Sequence, residues 1–267
     1  MGVDQIEVLK AAVEEAEMVL VGIGEEWETD FAEMERLEPY SAWLEEIREK
    51  KETEWLIPYL RAHYLKNSVD EEKAEAYRAL GRLLEGKNYF IVSICMDGRM
   101  QKEKWKKERM VFPCGGYEKL QCAECDAELQ DAEKTIAQTV ESCRQLMGRL
   151  EEVKQPVCES CGAPLVFNQI LSKHYNESGY LPAWGIYMKW LQGTLNRKVC
   201  VLELGVGMEF PSVIRFPFEK TAYFNQKASF FRVHSRLYQM SAEIADRGVS
   251  IAQNPIVFLR NLFVHLR

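Results

Sequence analysis

Apolar side chains recur at Ile6, Leu9, Ala12, Val13 and Ala16, the 3.6-residue period of a helix with one buried face over residues 5–17. The period then gives way to a continuous apolar run, MVLVGIG at 18–24. Such a run predicts a strand buried on both faces that enters a glycine-bearing loop at its C-terminal end. A stretch rich in Glu, Lys, Leu and Trp follows from 30 to 84, predicted as several helices separated at Pro39 and Pro58. NYFIVSI (88–94), KVCVLELGV (198–206) and ASFFRVH (228–234) predict three more buried strands. Helices are predicted within 126–153, over about 183–192, and from Pro255 to the C-terminus. Buried strands alternating with helices imply an α/β fold, a Rossmann-like doubly wound parallel sheet. Residues 1–116 and 170–267 are assigned to the large domain, with a helical insertion at about 30–85, and 117–169 to a small subdomain.

A chain of 267 residues can bury a full core, and 47% hydrophobic with 28% charged residues is ordinary for a soluble globular protein. The net charge of −7 gives no support for nucleic-acid binding. The local run KEKWKKER (102–109) reads as a solvated face. No apolar run reaches the ~18 residues of a membrane helix. The first residues lack the basic and apolar regions of a signal peptide. A cytoplasmic protein with no membrane or nucleic-acid partner is therefore expected. In that compartment eight cysteines point to metal or chemistry rather than disulfides.

Four of them form two C-x-x-C pairs, Cys122/Cys125 and Cys158/Cys161, separated by 32 residues. Each pair can present two thiolates across a tight turn, and two pairs complete a tetrahedron around Zn2+. Four protein ligands leave no position for substrate, so the expected zinc is structural and 117–169 is a zinc ribbon with a helical insert. Gly162, next to Cys161, suits the knuckle turn. Cys200, inside a predicted strand, and Cys143, on the insert helix, read as small core hydrophobes. Cys95 and Cys114 each follow a strand, where α/β proteins place their sites.

The order of these parts resembles a sirtuin, and more narrowly the macrodomain-linked bacterial sirtuins. The resemblance rests on SICMDGRMQKEKWKKERMVFPCGGYEKLQC (93–122) and LELGVGMEFPSVIRFPFEKTAYFNQKASFFRV (202–233), and spans most of the chain. It implies a Rossmann-like domain and a zinc ribbon with NAD in the cleft between them. It further implies lysine deacylation or, in the macrodomain-linked group, protein ADP-ribosylation. On this resemblance Cys95 and Asp97 stand at the Asn and Asp of the T-x-N-x-D motif that serves the nicotinamide ribose. Cys114 stands at the catalytic His or Gln, while Gly205 and Gly207 match the adenosine-side loop. Gly22 and Gly24 are the candidates for the phosphate-loop glycines.

The departures fall on the chemistry. A neutral thiol at 114 is a poor general base, and a thiolate needs a nearby cation or helix N-terminus. After the first strand the family's Gly-Ala-Gly-x-Ser is replaced by Gly22-Ile23-Gly24-Glu25-Glu26-Trp27-Glu28. With Gly22 as the first motif glycine, Ile23 crowds the loop; with Gly24 first, three glutamates fall inside it. A carboxylate ~4 Å from a phosphate costs about 4 kcal/mol at an effective dielectric of 20, roughly a thousandfold in affinity. Glutamates turned outward from a helix N-terminus would avoid that cost. Three readings stay open: a catalytically impaired regulator that binds a protein partner, an active NAD-dependent transferase using unusual residues, or a binding module for another ligand. NAD or an ADP-ribose-like ligand is the expected small-molecule partner, with a cationic or uncharged one under the third reading.

Overall fold

The computed structural model describes residues 5–263; His265 and the end of the predicted C-terminal helix lie outside them. In chain order the elements are α1 (Gln5–Glu15), β1 (Met18–Ile23), α2 (Tyr40–Glu49), α3 (Ile57–Asn67), α4 (Glu71–Leu83) and β2 (Asn88–Ser93). Then come β3 (Met110–Val111), β4 (Gly115–Cys122), β5 (Gln130–Asp131), α5 (Glu133–Gln145), β6 (Leu165–Gln169) and α6 (Leu181–Gln192). The last are β7 (Val199–Leu204), α7 (Arg215–Phe224), β8 (Ala228–Val233), β9 (Gly248–Ile251) and α8 (Pro255–Asn261).

Six strands form one parallel sheet in the order β3-β2-β1-β7-β8-β9. Successive side chains of β1 point to opposite faces. Val19, Val21 and Ile23 share a core with α1, α4 and α8, whereas Met18 and Leu20 share one with α6 and α7. Gly22 belongs to the second face, where Ile214, just before α7, and Phe218 of α7 take the room a side chain would need. Helices on both faces are what doubly wound means. The crossovers leave β1 and β7 in opposite directions, so a crevice opens at the carboxyl ends of these two neighbours.

Two helices of the 30–85 insertion pack away from the large sheet. Trp43, Leu44 and Ile47 of α2 and Leu60 and Tyr64 of α3 share a core with Val140 and Cys143 of α5. Tyr59 and Ala62 of α3 join the core of the small antiparallel sheet β5-β4-β6. The boundary expected at Pro58 is the start of α3, whose first turn the proline occupies, where its missing N–H costs nothing. The helix predicted within 126–153 is confined to α5, because Gln130 and Asp131 pair with β4. No helix among the described residues is long and apolar enough to cross a membrane.

Cys122, Cys125, Cys158 and Cys161 place their sulfurs within 4.8 Å of one another. A tetrahedron of ~2.3 Å metal–sulfur bonds has edges of about 3.8 Å, so the cluster fits a single zinc ion. The N–H groups of Glu124 and Cys125, each 3.4 Å from the Cys122 sulfur, hold that thiol down to about 6. Gly162 takes the left-handed conformation, φ 76°, that closes the second knuckle. When bound, the ion would tie the turn after β4 to the turn before β6, at the end of a strand pair that already joins Cys122 to Leu165. Purified protein should therefore carry one zinc per chain. Chelation or Cys158→Ser should cost several kcal/mol of stability, read by thermal unfolding with metal analysis; an unchanged melting curve after complete zinc removal would refute the assignment.

Candidate functional site

The crevice at the switch point is built from the loops that follow β1, β2, β7 and β8. Gly24 lies against the carbonyl of Gly205 and the Cα of Val206, far inside the contact distance of any β-carbon. Its N–H reaches Leu204 O at 2.9 Å, and Glu26 N reaches Gly205 O at 3.2 Å. Gly205 itself takes φ +65°. The loop after β1 thus starts as a single 3-10 turn, Glu25–Trp27, anchored by Trp27. That indole is fully buried and stacks on Tyr77 at 4.6 Å.

This turn sends its three carboxylates to three different loops. Glu25 accepts from Gly207 N at 2.9 Å and Glu209 N at 3.4 Å, after β7. Glu26 accepts from Ser235 N at 3.2 Å, after β8. Glu28 accepts from Met96 N at 2.8 Å, after β2. Instead of turning outward, the three side chains turn in and occupy the fold's own N–H groups. His234 beside Glu26 takes the N–H groups of Arg236 and Leu237 on Nδ1, both at 3.1 Å. Burial lowers its pKa, so the ring is neutral. Glu28 is pushed up to about 7, first by burial and then by the charge of Asp97.

The loops are fixed from below as well. Arg215 donates to Val206 O at 2.9 Å and to Leu237 O. The buried Arg232 donates to Glu203 at 2.6 Å, Glu219 at 2.7 Å and Gln239 O at 2.6 Å. Burial raises the Glu203 carboxyl against the pull of that guanidinium.

Cys95 is buried and donates its thiol to Gly24 O at 3.2 Å; burial lifts its pKa well above the ordinary thiol value. Asp97 is buried under a network rather than open to the crevice. It accepts from Thr29 Oγ1 at 2.6 Å and Arg99 N at 3.0 Å, with Lys73 Nζ at 3.8 Å. Lys73 and Arg99 also donate to Thr29 Oγ1, and Arg99 ties in Ser68. Cys114 lies in the core on the α6/α7 face, its pKa pushed up to about 12 by burial and then by Glu209 and Glu28. Next to it, Gly115 at φ +72° leaves no room for a β-carbon against Asn168 O. A cavity of about 140 Å³ opens beside it, lined by Met96, Gln101, Phe112, Tyr117, Tyr175 and Tyr180.

Of the residues singled out from sequence, Gly24, Cys95, Asp97, Gly205 and Gly207 converge on the carboxyl edge of the sheet, and the carboxylates of Glu28 and Glu209 bear on Cys114. Gly22 is kept apart, buried under α7, and the four zinc-type cysteines form their own centre. Sequence reasoning passed over Lys73, Thr29, Arg99 and Arg215. Lys73 and Thr29 lie outside the motif stretches, and Arg99 and Arg215 lie inside them with nothing to mark their role, so only the fold unites the four.

No protein-family model matches the chain. Among curated proteins it is similar to a protein ADP-ribosyltransferase of Staphylococcus aureus (strain Mu50 / ATCC 700699), 23% identical, over 94% of this chain and 84% of that one. A probable bifunctional ADP-ribose hydrolase/ADP-ribosyltransferase of Fusarium oxysporum f. sp. cubense is 27% identical over 50% of this chain and 23% of that protein. Among solved structures, a Sir2 homologue mutant in complex with 2′-O-acetyl ADP ribose superposes with TM-score 0.60 at 13% identity, covering 99% of this chain and 97% of that one. Sir2 with a p53 peptide and NAD+ gives 0.58 at 12% identity, covering 98% of each. The chain has the sirtuin fold.

Glu28 supplies a test of this geometry. The folded protein holds its proton more tightly than the unfolded chain, whose carboxyl titrates near 4.5. The stability from that proton is therefore complete below about 4.5 and is lost as pH rises through about 7. Wild type should lose about 3 kcal/mol more than Glu28→Gln across that window, followed by chemical denaturation. Parallel profiles would mean that the carboxyl is solvated.

Proposed function

We propose that this chain is a sirtuin-fold zinc protein that has given up NAD-dependent catalysis and acts as a regulator or binding protein for a protein partner. The observation that carries this reading is the state of Cys114, at the position where the resemblance puts the family's histidine or glutamine. A thiol raised to about 12 is protonated at neutral pH. It can neither accept a proton from a ribose hydroxyl nor attack as a nucleophile. The acidic groups that bear on it, Glu209 and Glu28, push it further in the same direction. Asp97 and Cys95 are committed to internal hydrogen bonds, and the Glu25 carboxylate adds negative charge on the N–H groups of the loop after β7. The zinc centre supports the ribbon and takes no part in the chemistry.

The alternative is an active protein ADP-ribosyltransferase or lysine deacylase. It is favoured by one observation, the named transferase that runs along 94% of the chain. Calorimetric titration of the zinc-loaded protein with NAD separates the two. We expect no heat, no thermal shift and no nicotinamide release at millimolar NAD. Nicotinamide release that vanishes in Cys114→Ala or Asp97→Ala but survives Cys143→Ala would establish the enzyme instead.

A further inference from the structure

We propose that Glu25 is the specificity-determining residue of the crevice. Its carboxylate is a built-in anion that fills an oxyanion cradle made by the N–H groups of Gly207 and Glu209, and so excludes ligands carrying a diphosphate. This rests on the reading above that the wild-type crevice is closed to NAD, and it names the group that closes it.

Two N–H groups converge on one carboxylate, at 2.9 and 3.4 Å, in the loop after β7 and across the switch point from β1. Backbone N–H groups at that place in a doubly wound sheet are the ones a phosphate oxygen would use. The fit is close. A β-carbon on Gly207 would fall inside contact distance of Glu25 Oε1 and 3.2 Å from His234 Nε2. The turn that carries Glu25 is fixed by Gly24 against Gly205 on one side and by buried Trp27 on the other.

The cradle does not depend on Glu25 for its shape. Arg215 holds the loop from beneath through Val206 O, and Gly205 N is fixed by Val233 O at 2.8 Å. Nor is the role shared among the glutamates, because Glu26 and Glu28 occupy the loops after β8 and β2. Removing the Glu25 charge should therefore free one anion site and leave the rest of the edge in place.

The test is titration of zinc-loaded wild type, Glu25→Ala, Glu25→Gln and Glu26→Gln with inorganic pyrophosphate and with ADP-ribose. Wild type and Glu26→Gln should show no binding at millimolar ligand. Glu25→Ala should bind both ligands at least tenfold more tightly than wild type. Glu25→Gln, which loses the charge but keeps an acceptor for Gly207 N, should gain less. Circular dichroism and zinc content identify the folded variants, and if Glu25→Ala fails to fold, the gain in Glu25→Gln decides. Folded Glu25 variants that bind both ligands no better than wild type would overturn the assignment and leave the silent-crevice reading standing. NAD binding by wild type would defeat that earlier reading instead.

Discussion

The contact of Gly24 with the Gly205 carbonyl and Val206 Cα locks the ends of β1 and β7 together without a side chain between them. The rest of the carboxyl edge follows from that closeness. The chain must turn at once, and it does so in a 3-10 turn whose only large apolar residue, Trp27, goes into the core. With Trp27 buried, Glu25, Glu26 and Glu28 fan out to the loops after β7, β8 and β2. Charge-assisted hydrogen bonds to backbone N–H groups are each worth about 1.5–3 kcal/mol. The turn thus acts as a clamp for three loops that in an open sheet would be tied by a ligand or left to water.

The charges behind the crevice work the same way. Asp97 is held by Thr29, Arg99 and Lys73, which come from the loop after β1, the loop after β2 and α4. Arg232 joins β7, α7 and the loop after β8 through Glu203, Glu219 and Gln239 O. A buried ion pair adds little net stability over an apolar substitute, but removing one partner strands the other at several kcal/mol. Such groups therefore specify where the loops sit more than they strengthen the fold.

The large sheet was legible because its strands are buried on both faces and show as continuous apolar runs, Met18–Ile23 and Val199–Leu204 above all. The cysteine cluster was legible because its ligands are close in sequence. β3 and β9 escaped notice because runs of two and four residues carry no period. α7 was hidden by Pro217, which looks like a breaker yet stands in the first turn where no N–H is needed. In the site, identity was readable and direction was not. The sequence places three glutamates after β1, but whether they face solvent, a phosphate or an N–H depends on Trp27 and on loops about 70 to 210 residues away, as the separations of Met96 and Ser235 from them attest.

That arrangement also bears on whether the crevice has decayed or been rebuilt. Losing a ligand site by drift would expose N–H groups shaped for phosphate, and a buried N–H without a partner costs about as much as a lost hydrogen bond. Here Gly207, Glu209, Ser235 and Met96 each give their N–H to a glutamate of one turn. Cys95, in place of an asparagine on the family resemblance, gives its thiol to Gly24 O in the same turn. Substitutions on separate strands thus satisfy one another. Mutual satisfaction across four loops is what keeps such a carboxyl edge ordered by its own side chains.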